Sequence, residues 1–309
     1  MKNKKIIFMG TPEFAASMLK ALIKNNYNVI AVITQPDKPF GRKQELKFSE
    51  VKVVALENNI EVIQPISIKK DFSRIQELQA DLIITAAYGQ IVPQEVLDAP
   101  KILCINVHGS LLPKYRGGAP VHYAILNGDT KTGVTIMEMV QKMDAGGIIT
   151  QREFPIEFED TTGDVFEKMK KVGAELLIDT LPSILKEEFT ITQQDNDLVT
   201  FSPTISKEDE YIDFNDTTIN VYNKIRALNP FPVGYFLYND KRYKVYSATI
   251  KEKSSVVGMI MNISKEGIEI GCIDGVICLT EIQPSGKKRI KVSDYINGKN
   301  EFEINKICQ

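Results

Sequence analysis

Two periods of apolar spacing divide this chain. In its first half, near-continuous apolar runs stand at 5–9 (KIIFM), 29–33 (VIAVI), 82–87 (LIITAA) and 102–107 (ILCINV). Short uninterrupted runs with polar flanks predict strands buried on both faces, as in a parallel sheet. The segments between them follow a helical period. Thr11 then Pro12 predicts a helix start: a hydroxyl cap, then proline at the first helical position, where no N–H is needed. Phe14, Met18 and Leu22 follow at a spacing of four and mark one face of that helix. Further strands are expected at 133–139 and 147–156. Thr161-x-x-Asp164 has the form of a capping box with Asp for the usual Glu. Val165, Met169, Val172, Leu176, Thr180 and Ile184 then carry a helix to residue 186. Strand–helix alternation predicts the α/β class, with a Rossmann-like doubly wound parallel sheet in a domain spanning 1–188.

The pattern changes near residue 189. Residues 189–206 (FTITQQDNDLVTFSPTIS) are polar and weakly alternating, and read as a linker. A short helix is expected at 217–228. After it come short alternating segments: GYFLYND, KRYKVYSATI, SVVGMIMNIS, GIEIGCIDG and VICLTEIQP. Turn signals at this frequency predict a second, smaller OB-like β-barrel domain over 207–309.

Composition narrows the class. The chain has 309 residues, 43% hydrophobic and 25% charged, which suits a globular protein of two domains. No apolar run approaches the roughly 18–20 residues of a membrane span. The apolar run after the N-terminal lysines, IIFMG, is shorter than a signal-peptide core and reads as the first buried strand. A cytoplasmic monomer with no membrane partner is expected. The four cysteines, Cys104, Cys272, Cys278 and Cys308, form no CxxC pair. With only two histidines there is no zinc-ligand set, so no metal is expected. The thiols are expected to be reduced, with Cys104 a buried strand residue. A net charge of −2 means that any nucleic-acid contact must come from a local patch.

Candidate chemistry sits where an apolar strand opens into a Gly- and Pro-rich loop, CINVHGSLLPKYRGGAP (104–120). In an open α/β sheet, ligands bind beyond the carboxyl ends of strands. Asn106 and His108, two apart on the strand, point to the same side. An amide can polarise a carbonyl, and an imidazole can give or take a proton near neutral pH. Asp144, before the Gly pair in MDAGGIITQ, supplies a carboxylate that can orient an imidazole. Read alone, a strand-end His is more often structural, and an Asp before Gly is more often a turn residue. His122 falls in an expected helix and reads as structural. GTPEF (10–14) lacks the GxGxxG spacing, so a nicotinamide cofactor is not expected.

Asn106-x-His108, the following GSLLPKYRGGAP and Asp144 together resemble the signature of the folate-dependent formyltransferases. GTPEF, TQPDKPFGR (34–42) and IRALNPFPVGYF narrow the resemblance to the branch that formylates methionyl-initiator-tRNA, over essentially the whole chain. The resemblance implies 10-formyltetrahydrofolate as formyl donor and the free α-amine of the methionyl ester as acceptor. It implies catalytic roles for Asn106, His108 and Asp144. It implies a folate pocket from Tyr88, Gly89, Gln90 and Ile91 with Ser110, Leu111, Leu112 and Pro113. The loop 34–52, which is long and basic, then becomes a tRNA contact through Lys38, Arg42, Lys43 and Lys47. Lys287, Lys288 and Arg289 are expected to touch tRNA from the second domain. Three alternatives stay open: a UDP-amino-sugar formyltransferase with the same donor, a catalytically idle RNA-binding protein, and a hydrolase releasing formate from the cofactor.

Overall fold

The computed structural model describes residues 3–40, 45–298 and 300–308. Contacts divide the chain into two compact units. The first holds residues up to Pro120, Thr132–Phe154 and Phe166–Ser202; the second holds Val121–Lys131, Pro155–Val165 and everything from Pro203 onward.

In the first unit the strands are β1 (Ile6–Gly10), β2 (Val29–Ile33), β3 (Lys38–Phe40), β4 (Glu45–Lys47), β5 (Glu61–Ile63), β6 (Leu82–Ala86), β7 (Leu103–His108), β8 (Lys131–Glu138) and β9 (Ile148–Pro155). Seven of them form one sheet in the order β5-β2-β1-β6-β7-β8-β9. The pairs β2–β5, β1–β2, β1–β6 and β6–β7 are parallel, as the uninterrupted apolar runs predict. The parallel pairing ends there, and β8 runs antiparallel to β7. Every residue of β1 and β6 is buried. Each such Ile or Leu contributes about 1.5–3 kcal/mol by leaving water. These central strands therefore anchor the sheet edge on which β7 ends at His108.

Local signals were realised with two differences. Thr161 and Asp164 form the reciprocal box: the Asp164 carboxylate accepts from the Thr161 N–H at 2.9 Å, and the Asp164 N–H donates to the Thr161 hydroxyl at 3.3 Å. The helix Thr162–Leu185 follows. Thr11, expected as a cap, instead donates its hydroxyl to the Tyr88 carbonyl at 2.9 Å, and Pro12 is the N-cap of the helix Glu13–Lys24. The hydroxyl thereby ties the end of β1 to the turn after β6. The span 34–52, expected to lack structure, contains the two-stranded hairpin β3–β4 and the first turn of a helix capped by Ser49.

The second unit is built on β10 (Tyr235–Tyr238), β11 (Lys241–Lys251), β12 (Ile260–Ser264), β13 (Gly267–Gly271), β14 (Val276–Pro284) and β15 (Ile290–Lys291). They pair antiparallel in the order β10-β11-β14-β13-β12, with β15 on β14. Register shifts around Ser247 bend β11, as bulges do. Phe236, Tyr238, Tyr243 and Phe302 pack together in its core, with ring centroids as close as 4.7 Å. The expected short helix runs Thr218–Ala227, with the Thr217 hydroxyl accepting the Asn220 N–H. Among the described residues no helix is long and apolar enough to cross a membrane.

Candidate active site

β7 carries Asn106 and His108 two residues apart at its end, and the loop before β9 brings Asp144 to His108. His108 Nδ1 lies 3.7 Å from Asp144 Oδ1, with both side chains largely buried. Its other ring nitrogen, Nε2, donates to the Tyr115 carbonyl at 3.0 Å. A carbonyl can only accept, so this bond requires a proton on Nε2. Nδ1 is the ring nitrogen left to exchange a proton, and it faces a carboxylate. Asp144 Oδ2 accepts the Gly117 N–H at 2.9 Å, which fixes the carboxylate plane.

Asn106 is oriented from behind. Thr85, its register partner on β6, donates its hydroxyl to Asn106 Oδ1 at 2.8 Å. The amide oxygen is thereby occupied, and the Nδ2 donors have no partner among the described residues. A half-buried amide with free donors beside a protonatable ring can receive an anionic oxygen. Thr85 carried no sequence signal, because a Thr within an apolar strand reads as β propensity alone.

The loop after β7 is stapled by side chains from distant segments. Thr135 donates to the Ser110 carbonyl at 2.6 Å, and Gln151 donates to the Leu112 carbonyl at 2.8 Å. The Tyr115 N–H donates to the Thr200 hydroxyl, and the Ser202 hydroxyl donates to the Tyr115 carbonyl. The segment expected as a linker does more than connect: its residues up to Ser202 pack into the first unit and form this staple. Tyr115 and Asp144 both sit in the left-handed backbone region, at φ 63° and 50°. That conformation costs an L-residue about 1–2 kcal/mol, so the surrounding bonds must hold it.

Two glycines permit the approach of the Asp144 loop. A Cβ on Gly146 would stand 1.9 Å from the Glu138 carbonyl oxygen, and one on Gly147 would stand 2.0 Å from the Ile191 side chain. Gln194 closes the arrangement. Its Nε2 donates to the carbonyls of Asp144 at 2.8 Å and Gly146 at 2.7 Å, while its Oε1 accepts from Arg116 Nε and Nη2.

The expected folate residues divide by what their side chains do. Tyr88 has its ring in the hydrophobic core beside Ile7, Ile83 and Val96, and burial pushes its phenol up to about 12. Any contact it makes with a ligand is therefore through its backbone. Ser110 is fully buried, donating to the Lys114 carbonyl, and Leu112 is buried beneath the loop. Gln90 accepts the Ile68 N–H through its Oε1. Gly89, at φ 92°, and Ile91, 59% exposed, face solvent, and Leu111 and Pro113 are half-buried. Gly89, Ile91, Leu111 and Pro113 are thus the four of this set free to meet a ligand by surface contact.

Lys38 and Lys47 stand directly opposite each other on the β3–β4 hairpin, both exposed. The Lys47 ammonium is paired with the Glu50 carboxylate at 2.9 Å. Arg42 and Lys43 lie outside the described residues. In the second unit Lys287 and Lys288 are exposed, whereas Arg289 is tied to Glu281 and stacked over Tyr246 at 4.3 Å. All four thiols are buried and free; burial pushes Cys272 up to about 11 and Cys308 to about 12, so neither is a nucleophile.

Comparison with known proteins gives this geometry its setting. The formyl transferase model matches residues 4–181, and the formyl transferase C-terminal domain model matches 204–300. The methionyl-tRNA formyltransferase of Lysinibacillus sphaericus is 48% identical over 298 residues, 95% of each chain. That of Mesoplasma florum is 46% identical over 308 residues, 98% of each chain. Among solved structures, an N-formyltransferase from Helicobacter canadensis in complex with folinic acid and dTDP-3-aminofucose superimposes with TM-score 0.70 at 24% identity, over 89% of this chain and 99% of that one. HypX from Aquifex aeolicus in complex with tetrahydrofolic acid gives 0.63 at 19%, over 98% of this chain and 50% of that one. At such identities these two speak for the fold alone. The two domain models and near-full-length identity close to one half carry the assignment: the chain belongs to the formyl transferase family, among its methionyl-tRNA formyltransferases.

Proposed function

We propose that this protein transfers the formyl group of 10-formyltetrahydrofolate to the α-amine of methionyl-initiator-tRNA, in the cytoplasm and as a monomer. The observation that carries the reading is an imidazole facing a carboxylate at the end of β7, the strand that also bears an amide with free donors two residues earlier, in a chain so similar to methionyl-tRNA formyltransferases. The amine attacks the formyl carbon, and a tetrahedral oxyanion forms. Asn106 Nδ2 donates to that oxygen, with the His108 imidazolium adding its charge; one such donor is worth about 10²–10³ in rate. The amine must lose a proton, and the departing folate nitrogen must gain one. The Asp144–His108 pair holds that proton between the two events, exchanging it at Nδ1, because Nε2–H is committed to Tyr115. The 3.7 Å separation is longer than a hydrogen bond, as is common before substrate closes a site. Gly89, Ile91, Leu111 and Pro113 would line the donor, with the backbone of Tyr88, Gln90, Ser110 and Leu112 beside it. Lys38 and Lys47 on the hairpin, with Arg42 and Lys43 between them in sequence, would grip tRNA phosphates, as would Lys287, Lys288 and Arg289.

The test is direct. Purified protein, 10-formyltetrahydrofolate and charged initiator tRNA are mixed, and the ester is hydrolysed and analysed for formylmethionine. A nucleotide amino sugar serves as the alternative acceptor. Formylmethionine formation supports the reading; formylation of the sugar alone, or release of formate alone, refutes it.

A further inference from the structure

Gln194 is the one buried residue in the otherwise exposed stretch 192–198. It lies between the two matched domains, outside both. Its amide is fully used, with both N–H groups on the Asp144 and Gly146 carbonyls and its oxygen on the guanidinium of Arg116. Arg116 is itself 3% exposed and has no carboxylate within ion-pairing distance among the described residues. A buried guanidinium aimed at Oε1 leaves the amide one orientation, with its NH₂ toward Asp144. Antiparallel backbone bonds between Thr192 and Ile148, at 2.8 and 2.9 Å, hold the Gln194 segment in register with the Asp144 loop.

We infer that Gln194, oriented by Arg116, is a positioning residue that holds Asp144 in its left-handed backbone conformation and so aims its carboxylate at His108. The inference rests on the formyl-transfer reading for its kinetic consequence and on geometry alone for its structural one. An amide that only filled space would not need both donors on the one loop that carries the carboxylate. Displacing a catalytic group by about 1 Å can cost about 10²-fold in rate.

Gln194→Met keeps length and shape but removes every polar bond; Gln194→Glu keeps the acceptor for Arg116 and removes the donors. Each is expected to lower kcat by about 10- to 100-fold, with KM for donor and tRNA within about threefold. In an Asp144→Asn background, Q194M should cost less than about threefold, because its effect acts through the carboxylate. Equal losses in both backgrounds, or a kcat within threefold of the parent, overturn the inference. A second readout needs no activity. The chain has two histidines, so imidazole ¹⁵N–¹H spectra resolve both rings. Q194M should move the His108 signals and leave those of His122 in place; unmoved His108 signals overturn the inference. Should the parent protein fail to formylate methionyl-tRNA, the functional reading falls while this spectral test still decides the clamp. If Q194M does not fold, Q194E carries both measurements.

Discussion

Asp144→Asn separates charge from shape at the centre of the site. Asn keeps the volume and tolerates a left-handed backbone at least as well as Asp, so φ 50° is retained. Its side-chain oxygen can still accept the Gly117 N–H. What changes is the group facing His108 Nδ1. A carboxylate at 3.7 Å can accept from an Nδ1–H, whereas an amide NH₂ in that place can only donate to the ring. With an effective dielectric of about 20, the attraction lost from the imidazolium at that separation is about 4 kcal/mol. At about 1.4 kcal/mol per tenfold, kcat should fall by about 10³. The assay is single-turnover formylation of charged initiator tRNA at saturating donor. Thermal melting of the variant should match the parent, since the Gly117 bond survives. A variant that retains more than a tenth of the parent kcat, or whose loss lies in KM, would refute the assignment of Asp144 as the partner of His108.

Three further outcomes follow from other parts of the molecule. His108→Ala should lower kcat by about 10²–10⁴ while tRNA affinity, read by filter binding, stays within twofold; a matching loss of affinity contradicts a proton-transfer role. Gly146→Ala puts a Cβ against a backbone oxygen that cannot move aside, so the melting midpoint should drop, by about 1–3 kcal/mol in stability, and an unchanged midpoint contradicts the close approach. In the second unit, burial raises the Glu269 carboxyl, but hydrogen bonds from Lys251, Lys253 and Asn262 outweigh it and bring it to about 2. Because its folded value is depressed, its contribution is full above about 4.5 and is lost as pH falls toward 2. Glu269→Gln should therefore flatten the acid side of the stability profile over that window, as read by denaturant titrations at each pH; a parallel profile refutes it.

The residues proposed to carry the reaction were marked in the sequence by their types and given roles by the family resemblance. A rare histidine at a strand end, an Asn two before it and an Asp before paired glycines need no long-range knowledge to be noticed. The buried strands were legible for a similar reason, since uninterrupted apolar runs have few other uses. What holds the site was not legible. Thr85, Thr200, Ser202 and Gln194 act through hydrogen bonds to groups far off in sequence, and such bonds leave no periodicity. Gln194 lies in a polar run whose neighbours are exposed, so its burial follows from tertiary packing alone. Thr11 shows the converse: its local context reads as a cap, yet the Tyr88 carbonyl was the better-placed acceptor. Tyr88 entered the expected folate set through the family resemblance, and the burial of its ring in the core follows from tertiary packing.

The decisive measurement is a crystal structure of the protein with a stable analogue of the formyl donor. If Asn106 is the oxyanion donor, the formyl oxygen lies about 3 Å from its Nδ2, with the formyl carbon facing His108 and Thr85 still on the amide oxygen. A donor bound elsewhere, or an Asn106 amide turned with its oxygen toward the formyl group, would contradict the account.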